Sequence, residues 1–214
     1  MTTITASNNW VYRPLVEDDY TFWMGAWKDY PLSPGTGTFT YEERLRWFSA
    51  RLRNNEKETD ASIKSGFTMV NNLPPIRTYI SVNPAGTPVG IRVYSFEEPG
   101  EAWARADIIH PAHRGNGYYT DHKILAIGLM REWNIVTIKG WVENDPTFNT
   151  VGLVKTKLIN LGMAVSALER DSSNEALDST GTPVPLDHLS ISIAQCEALK
   201  DGDSDWADVA FTIS

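Results

Sequence analysis

Cysteine is almost missing from this chain. Cys196 is the only one in 214 residues, which excludes an internal disulfide framework and leads us to expect a reducing, cytoplasmic setting. There is also no Cys/His set at zinc spacing, so no metal is expected. Positive charge is in deficit: 19 Lys and Arg against 27 Asp and Glu leave a formal net charge of −8. That balance argues against general electrostatic binding to nucleic acid or to an anionic membrane. No apolar run approaches the roughly 20 residues of a membrane span. The opening stretch MTTITASNNW has no charged segment followed by an apolar one, so no secretory signal is expected. A phosphotransferase reading lacks its G-x-x-x-x-G-K-[ST] loop.

What the chain has is core-forming residues. Hydrophobic residues make up 42%, with eight Trp, enough for one large packed domain. We expect that domain over residues 1–194, followed by an acidic extension, 195–214. Trp10 to Leu15 reads as a strand. Asp18 or Asp19 is placed to cap a helix running to about Lys28. Thr40 to Glu43 is a capping-box pattern opening a second helix, with Leu45, Phe48 and Leu52 on one face and an end near Asn54. Arg77 to Val82 and Val89 to Phe96 flank the turn cluster NPAGTP as a hairpin. Ala102 to Ile109 is a third strand. A nearly all-apolar helix over Ile124 to Met130 implies burial on most sides. Ile135 to Val142 is a strand, and Phe148 to Leu161 follows helical spacing after the Asp145-Pro146 start. Met163 to Leu168 and His188 to Ile193 read as a last strand pair, joined by a long polar loop, Glu169 to Asp187. The order is mixed α/β: a central, mostly antiparallel sheet flanked by helices.

The densest chemical signal is IIHPAHRGNGYYTDH, Ile108 to His122. A strand ends in His-Pro, a basic residue and two glycines follow, and a helix begins. The first N–H groups of a helix lack internal partners, and the helix dipole adds positive charge there, so this order makes an anion site. Gly115 and Gly117 let the backbone approach a phosphate, and Arg114 offers a bidentate fork. Three histidines flank the loop, His110, His113 and His122; the first two are read as surface or phosphate-adjacent groups.

Ile109-His110-Pro111 followed by Arg114-Gly115-Asn116-Gly117-Tyr118 resembles the acetyl-CoA loop of the GNAT superfamily of N-acetyltransferases, roughly V-x-P-x-x-R-G-x-G. The likeness, with its matching element order, runs from about Ile76 to Ile193. It implies a twisted, mostly antiparallel sheet with flanking helices. It implies acetyl-CoA as co-substrate, its pyrophosphate on Arg114, Gly115, Asn116, Gly117, Tyr118 and Tyr119. The pantetheine arm would meet the backbone of Ile108 and Ile109 and the side chain of Asn144. The acceptor would be an amine, on a small molecule or a protein, and a homodimer fits the family. For proton transfer the candidates are Asp107 and Glu143 as bases and Tyr118 as an acid. Two positions depart from the pattern. Tyr119 stands where a Gly or Ala is usual and would narrow the cradle. Leu158 stands where the family often has a proton-donating Tyr, so a GNAT-fold protein without catalysis is the alternative. Asp107 is also two residues from Arg105 on the same strand, and a surface ion pair between them is the plainer expectation. Trp10, Trp23, Trp27 and Trp47 are either core or the lining of an acceptor pocket.

Overall fold

Strand-forming residues cluster on either side of one sharp turn and set the middle of the sheet. The computed structural model describes residues 2–28, 39–57, 63, 74–143, 164–177, 183–192 and 211–213. Strand β3 (Ile76–Val82) and strand β4 (Pro88–Ser95) pair antiparallel around the Asn83–Thr87 turn. The Asn83 side-chain oxygen accepts from the N–H groups of Ala85 and Thr87, at 3.1 and 2.9 Å, and Gly86 takes a positive φ of 80°. Asn as a backbone mimic and Gly in the left-handed region are what this turn requires.

Around this hairpin, strands β1 (Ile4–Ala6), β2 (Val11–Pro14), β5 (Glu101–Ile109), β6 (Thr137–Glu143), β7 (Ala164–Leu177), β8 (Pro183–Ser192) and β9 (Phe211–Ile213) complete the sheet. Its order is β7-β8-β6-β5-β4-β3-β2-β1-β9. Every described pair is antiparallel except β5 with β6. That parallel pairing runs only from Glu101↔Thr137 to Ala104↔Gly140. Beyond it β5 continues to Ile109 and β6 to Glu143, so the sheet splits there.

Among the described residues, the faces are covered by α1 (Tyr20–Ala26), α2 (Tyr41–Lys57) and α3 (Tyr118–Glu132). The capping box forms at α2: Thr40 N–H donates to Glu43 Oε2 at 2.8 Å, and Glu43 N–H donates to Thr40 Oγ1 at 3.2 Å. Asp19, by contrast, does not cap α1. Its carboxylate accepts from the Val16 N–H and from both guanidinium nitrogens of Arg13. One core packs α3 on the sheet, with Leu125, Ala126, Leu129 and Trp133 buried beside Tyr12, Tyr79 and Phe96. The other packs α1 and α2 on the opposite face, around Trp23, Phe48, Ile80, Ile91 and Ile108. Each large side chain of this kind contributes on the order of 2 kcal/mol through the water it sheds. No described helix is long and apolar enough to cross a membrane.

Three sequence expectations give way. The α2 helix runs to Lys57 rather than Asn54, and Leu45 is exposed while Phe48 carries the buried face. Glu169 to Asp187 is largely strand, not loop: β7 and β8 pair across it, with register shifts at Ala167/Arg170 and Asp171/Glu175 absorbing the extra residues. The neighbouring strand satisfies the backbone of this polar segment, so its composition did not reveal it. A strand neither expected nor patterned, β1, joins β2 to β9. The helix expected over Phe148 to Leu161 lies outside the described residues.

Candidate functional site

At the end of β5 the chain turns through His110-Pro111 into the glycine loop. His113 N–H donates to His110 O at 2.8 Å and Asn116 Nδ2 to His113 O at 3.1 Å, which fixes the turn. Gly115 and Gly117 have φ of 80° and 79°, and a Cβ on either would meet nothing within 4 Å. Glycine is required there by backbone conformation, and the space above the loop is open. Among the described residues, the N–H groups of Gly115, Asn116 and Gly117 donate to no protein acceptor. Arg114 Nε donates to the Ile109 carbonyl at 3.2 Å, which holds the guanidinium beside these groups. A cavity of about 560 Å³ opens here, lined by Asp107, Ile108, Ile109 and the loop as far as Tyr119. It follows β5 along the part that β6 has left.

Tyr118 and Tyr119 begin α3 in the cavity wall. Tyr118 packs edge-on against Trp10 at 5.4 Å. The Tyr119 ring lies 4.8 Å from Lys123 Nζ, and burial pushes its hydroxyl pKa up.

Behind the cavity lies a polar cluster that sequence reasoning did not assemble. Asp107 is ion-paired with both Arg92 and Lys123. His122 Nε2 is 2.9 Å from Asp107 Oδ1, a close approach without hydrogen-bond alignment, and His122 Nδ1 is 2.8 Å from Ser81 Oγ. Burial opposes the Asp107 charge, but Arg92 and Lys123 outweigh it and hold the carboxyl well below the usual range. Burial lowers His122 to about 4 and Lys123 to about 8. His122 is therefore neutral at pH 7, and one Asp stands between two cations. The order Ser81, His122, Asp107 has the composition of a hydrolytic triad. Ser81 is fully buried, however, and lines no described cavity. Arg92 within an apolar strand, and His122-Lys123 opening an apolar helix, were the available signals: charges in such places need partners.

Arg105 does not pair with Asp107. The β4–β5 register shifts between Val93 and Tyr94, so that Val93 faces Ala106 and Tyr94 faces Ala104. The extra residue is Arg105, and a bulge of this kind re-aims one side chain. Arg105 donates instead to Ser95 Oγ at 2.7 Å and pairs with Glu97. It lines a second cavity of about 340 Å³ under α1 and α2, together with Trp27 and Trp47. Of the four early tryptophans, Trp10, Trp23 and Trp27 are core, and Trp27 and Trp47 line that cavity. Glu143 closes β6 opposite Leu186; Asn144 and Leu158 lie outside the described residues.

The arrangement has known counterparts. A spermidine N-acetyltransferase chimera from Vibrio cholerae and hSSAT superposes with a TM-score of 0.61, at 13% identity over 87% of this chain and 97% of that one. The GNAT-family acetyltransferase from Bacillus anthracis gives 0.58, at 10% identity over 90% and 99%. The ribosomal-protein alanine N-acetyltransferase from Escherichia coli gives 0.54, at 10% identity over 86% and 94%. The chain has the GNAT fold. No protein-family model and no curated protein sequence matches it.

Proposed function

We propose that this GNAT-fold chain is an acetyl-CoA-dependent N-acetyltransferase acting on an amine. The observation that carries the reading is the row of undonated N–H groups at Gly115, Asn116 and Gly117, beside Arg114 and at the start of α3. Three N–H donors without a described acceptor, a guanidinium and a helix N-terminus suit a pyrophosphate. The open space over both glycines and the cavity along Ile108 and Ile109 suit the phosphates and the arm behind them. The net positive cluster of Arg92, Lys123 and Asp107 adds attraction for an anion.

Bound there, acetyl-CoA supplies a thioester carbonyl; an unprotonated amine forms the C–N bond, the C–S bond breaks, and the electron pair leaves on sulfur. The protein's own part is to hold, orient and move protons. Ile108 and Ile109 present backbone at the split in the sheet, where β6 no longer pairs. Asp107 is a weak proton acceptor, since two cations already stabilise its charge. Its role in this reading is to fix α3 to β5. Glu143, at the end of β6 on the other side of the split, is by position the carboxylate that takes the amine proton, directly or through water. Tyr118, in the cavity wall, is the hydroxyl that protonates the thiolate. Holding the reactants together supplies much of the rate without a strong acid.

The test is thermal melting with CoA, followed by thiol release from acetyl-CoA across amines, peptides and nucleosides. A CoA-dependent rise in melting temperature and release with at least one amine are expected. CoA binding without release for any acceptor would favour a GNAT-fold protein that has lost catalysis.

A further inference from the structure

Among the described residues, the second cavity carries a charge that its walls do not balance. Arg51, on α2, lines it beside Trp27, Trp47 and Arg105. Arg105 is engaged by Glu97 and Ser95. Among the described residues Arg51 meets no carboxylate; its guanidinium lies over the Trp47 ring, 6.0 Å from the centroid. Trp27 and Trp47 meet edge to face at 5.6 Å, giving the cavity two flat apolar walls. Burial and the nearby Arg105 both act to lower the Arg51 pKa, the signature of a cation placed where its charge is unfavourable. A partly buried guanidinium left without a counter-ion costs stability unless something anionic arrives.

The position of the cavity says what arrives. Consecutive residues of β5 line the two cavities: Arg105 and Ala106 the second, Asp107 to Ile109 the first. The two cavities thus meet the same strand at neighbouring residues, which suits a donor in one and an acceptor in the other. We infer that the second cavity is the acceptor pocket and that it selects an amine carrying a carboxylate, with an aromatic or apolar side chain against the tryptophans. The guanidinium fork matches a carboxylate in two parallel hydrogen bonds, and the tryptophan walls match a flat ring. A polyamine fits poorly, because it would bring ammonium groups to Arg51 and Arg105. The inference rests on the acetyltransferase reading for the word acceptor, but the binding of a carboxylate does not.

The experiment compares L-phenylalanine with phenethylamine, which differ only by the carboxylate, and adds spermidine. Binding is followed without CoA by calorimetry, and turnover by thiol release from acetyl-CoA. Phenylalanine is expected to bind, and to be turned over with a kcat/KM about 30-fold above phenethylamine, the worth of one charged hydrogen-bonded pair. Arg51→Gln is expected to collapse that ratio toward unity, while the melting shift produced by CoA persists. Arg51→Lys, which keeps charge but loses the fork, should fall between. Arg51-dependent binding of phenylalanine with no thiol release upholds the carboxylate pocket and removes the transferase reading. Efficient turnover of spermidine with none of phenylalanine overturns the pocket and leaves the transferase reading standing. So does a phenylalanine preference that Arg51→Gln leaves intact.

Discussion

Arg92 and Asp107 face each other directly across β4 and β5, and their side chains form an ion pair behind the glycine-loop cavity. Arg92 is fully buried and Asp107 keeps about a fifth of its side chain exposed, at 19%. Loss of the carboxylate therefore strands a buried guanidinium.

Asp107→Asn should cost about 3 kcal/mol of stability, the usual penalty for removing one partner of a buried pair. Its melting temperature should drop sharply, and turnover per folded molecule should fall less than in Glu143→Gln. Steady-state rates normalised to the folded fraction check this. A larger rate loss in Asp107→Asn than in Glu143→Gln, at equal folded fraction, would return the base to Asp107.

Acid should weaken the fold in two stages. The His122 pKa is held at about 4, below its ordinary value of 6.5. The folded state thus resists taking up a proton that the unfolded chain accepts. The His122 contribution is complete above pH 6.5 and is lost as pH drops from there to 4, by about 3 kcal/mol at 1.36 per unit. The depressed Asp107 carboxyl adds a further loss below about pH 4, where the unfolded carboxylate protonates. Urea midpoints between pH 8 and 3 measure both stages, and His122→Gln should flatten the first alone.

Arg114→Glu should abolish the melting-temperature gain from CoA and leave the unliganded protein nearly unchanged, since Arg114 is exposed and its one described side-chain bond is to Ile109 O. Equal stabilisation of both proteins by CoA would refute the placement of the pyrophosphate.

Gly25 is close to the loop from the other side. A Cβ there would come within 2.6 Å of His110 Nε2. That ring is stacked on Phe22 at 5.1 Å, and its Nδ1 accepts from the Ala112 N–H. Gly25→Ala should destabilise by about 1–2 kcal/mol, because overpacking outweighs the helix propensity it gains. In a His110→Ala background the sign should reverse, and Gly25→Ala should stabilise by roughly 0.5–1 kcal/mol. Chemical denaturation of the four proteins of this cycle decides it.

Local signals carried much of the architecture into the sequence. The NPAGTP turn announces the β3–β4 hairpin because Asn and Gly have few other uses between two β-branched runs. Thr40 and Glu43 announce α2 through their reciprocal bonds, and the glycine loop announces an anion site through its N–H groups. What stayed hidden depends on pairing. A two-residue period cannot show that Arg105 is an extra residue, so the bulge that parts it from Asp107 was invisible. The polar stretch in β7 is held extended by backbone pairing with β8. Arg92 lies far in the chain from the adjacent His122 and Lys123, and only the sheet and α3 bring them to one carboxylate. Arg51 reads as one more surface arginine on a charged helix until the tryptophan cavity is seen.

The early end of the β5–β6 ladder has a practical consequence. Backbone amides of β5 that point across the split have no strand to donate to, although they sit in the middle of a wide sheet. They should exchange with deuterium faster than their neighbours toward β4. A pantetheine arm lying along Ile108 and Ile109 would slow that exchange residue by residue. The split thus acts as a built-in reporter of occupancy, readable in a protein whose acceptor has yet to be supplied.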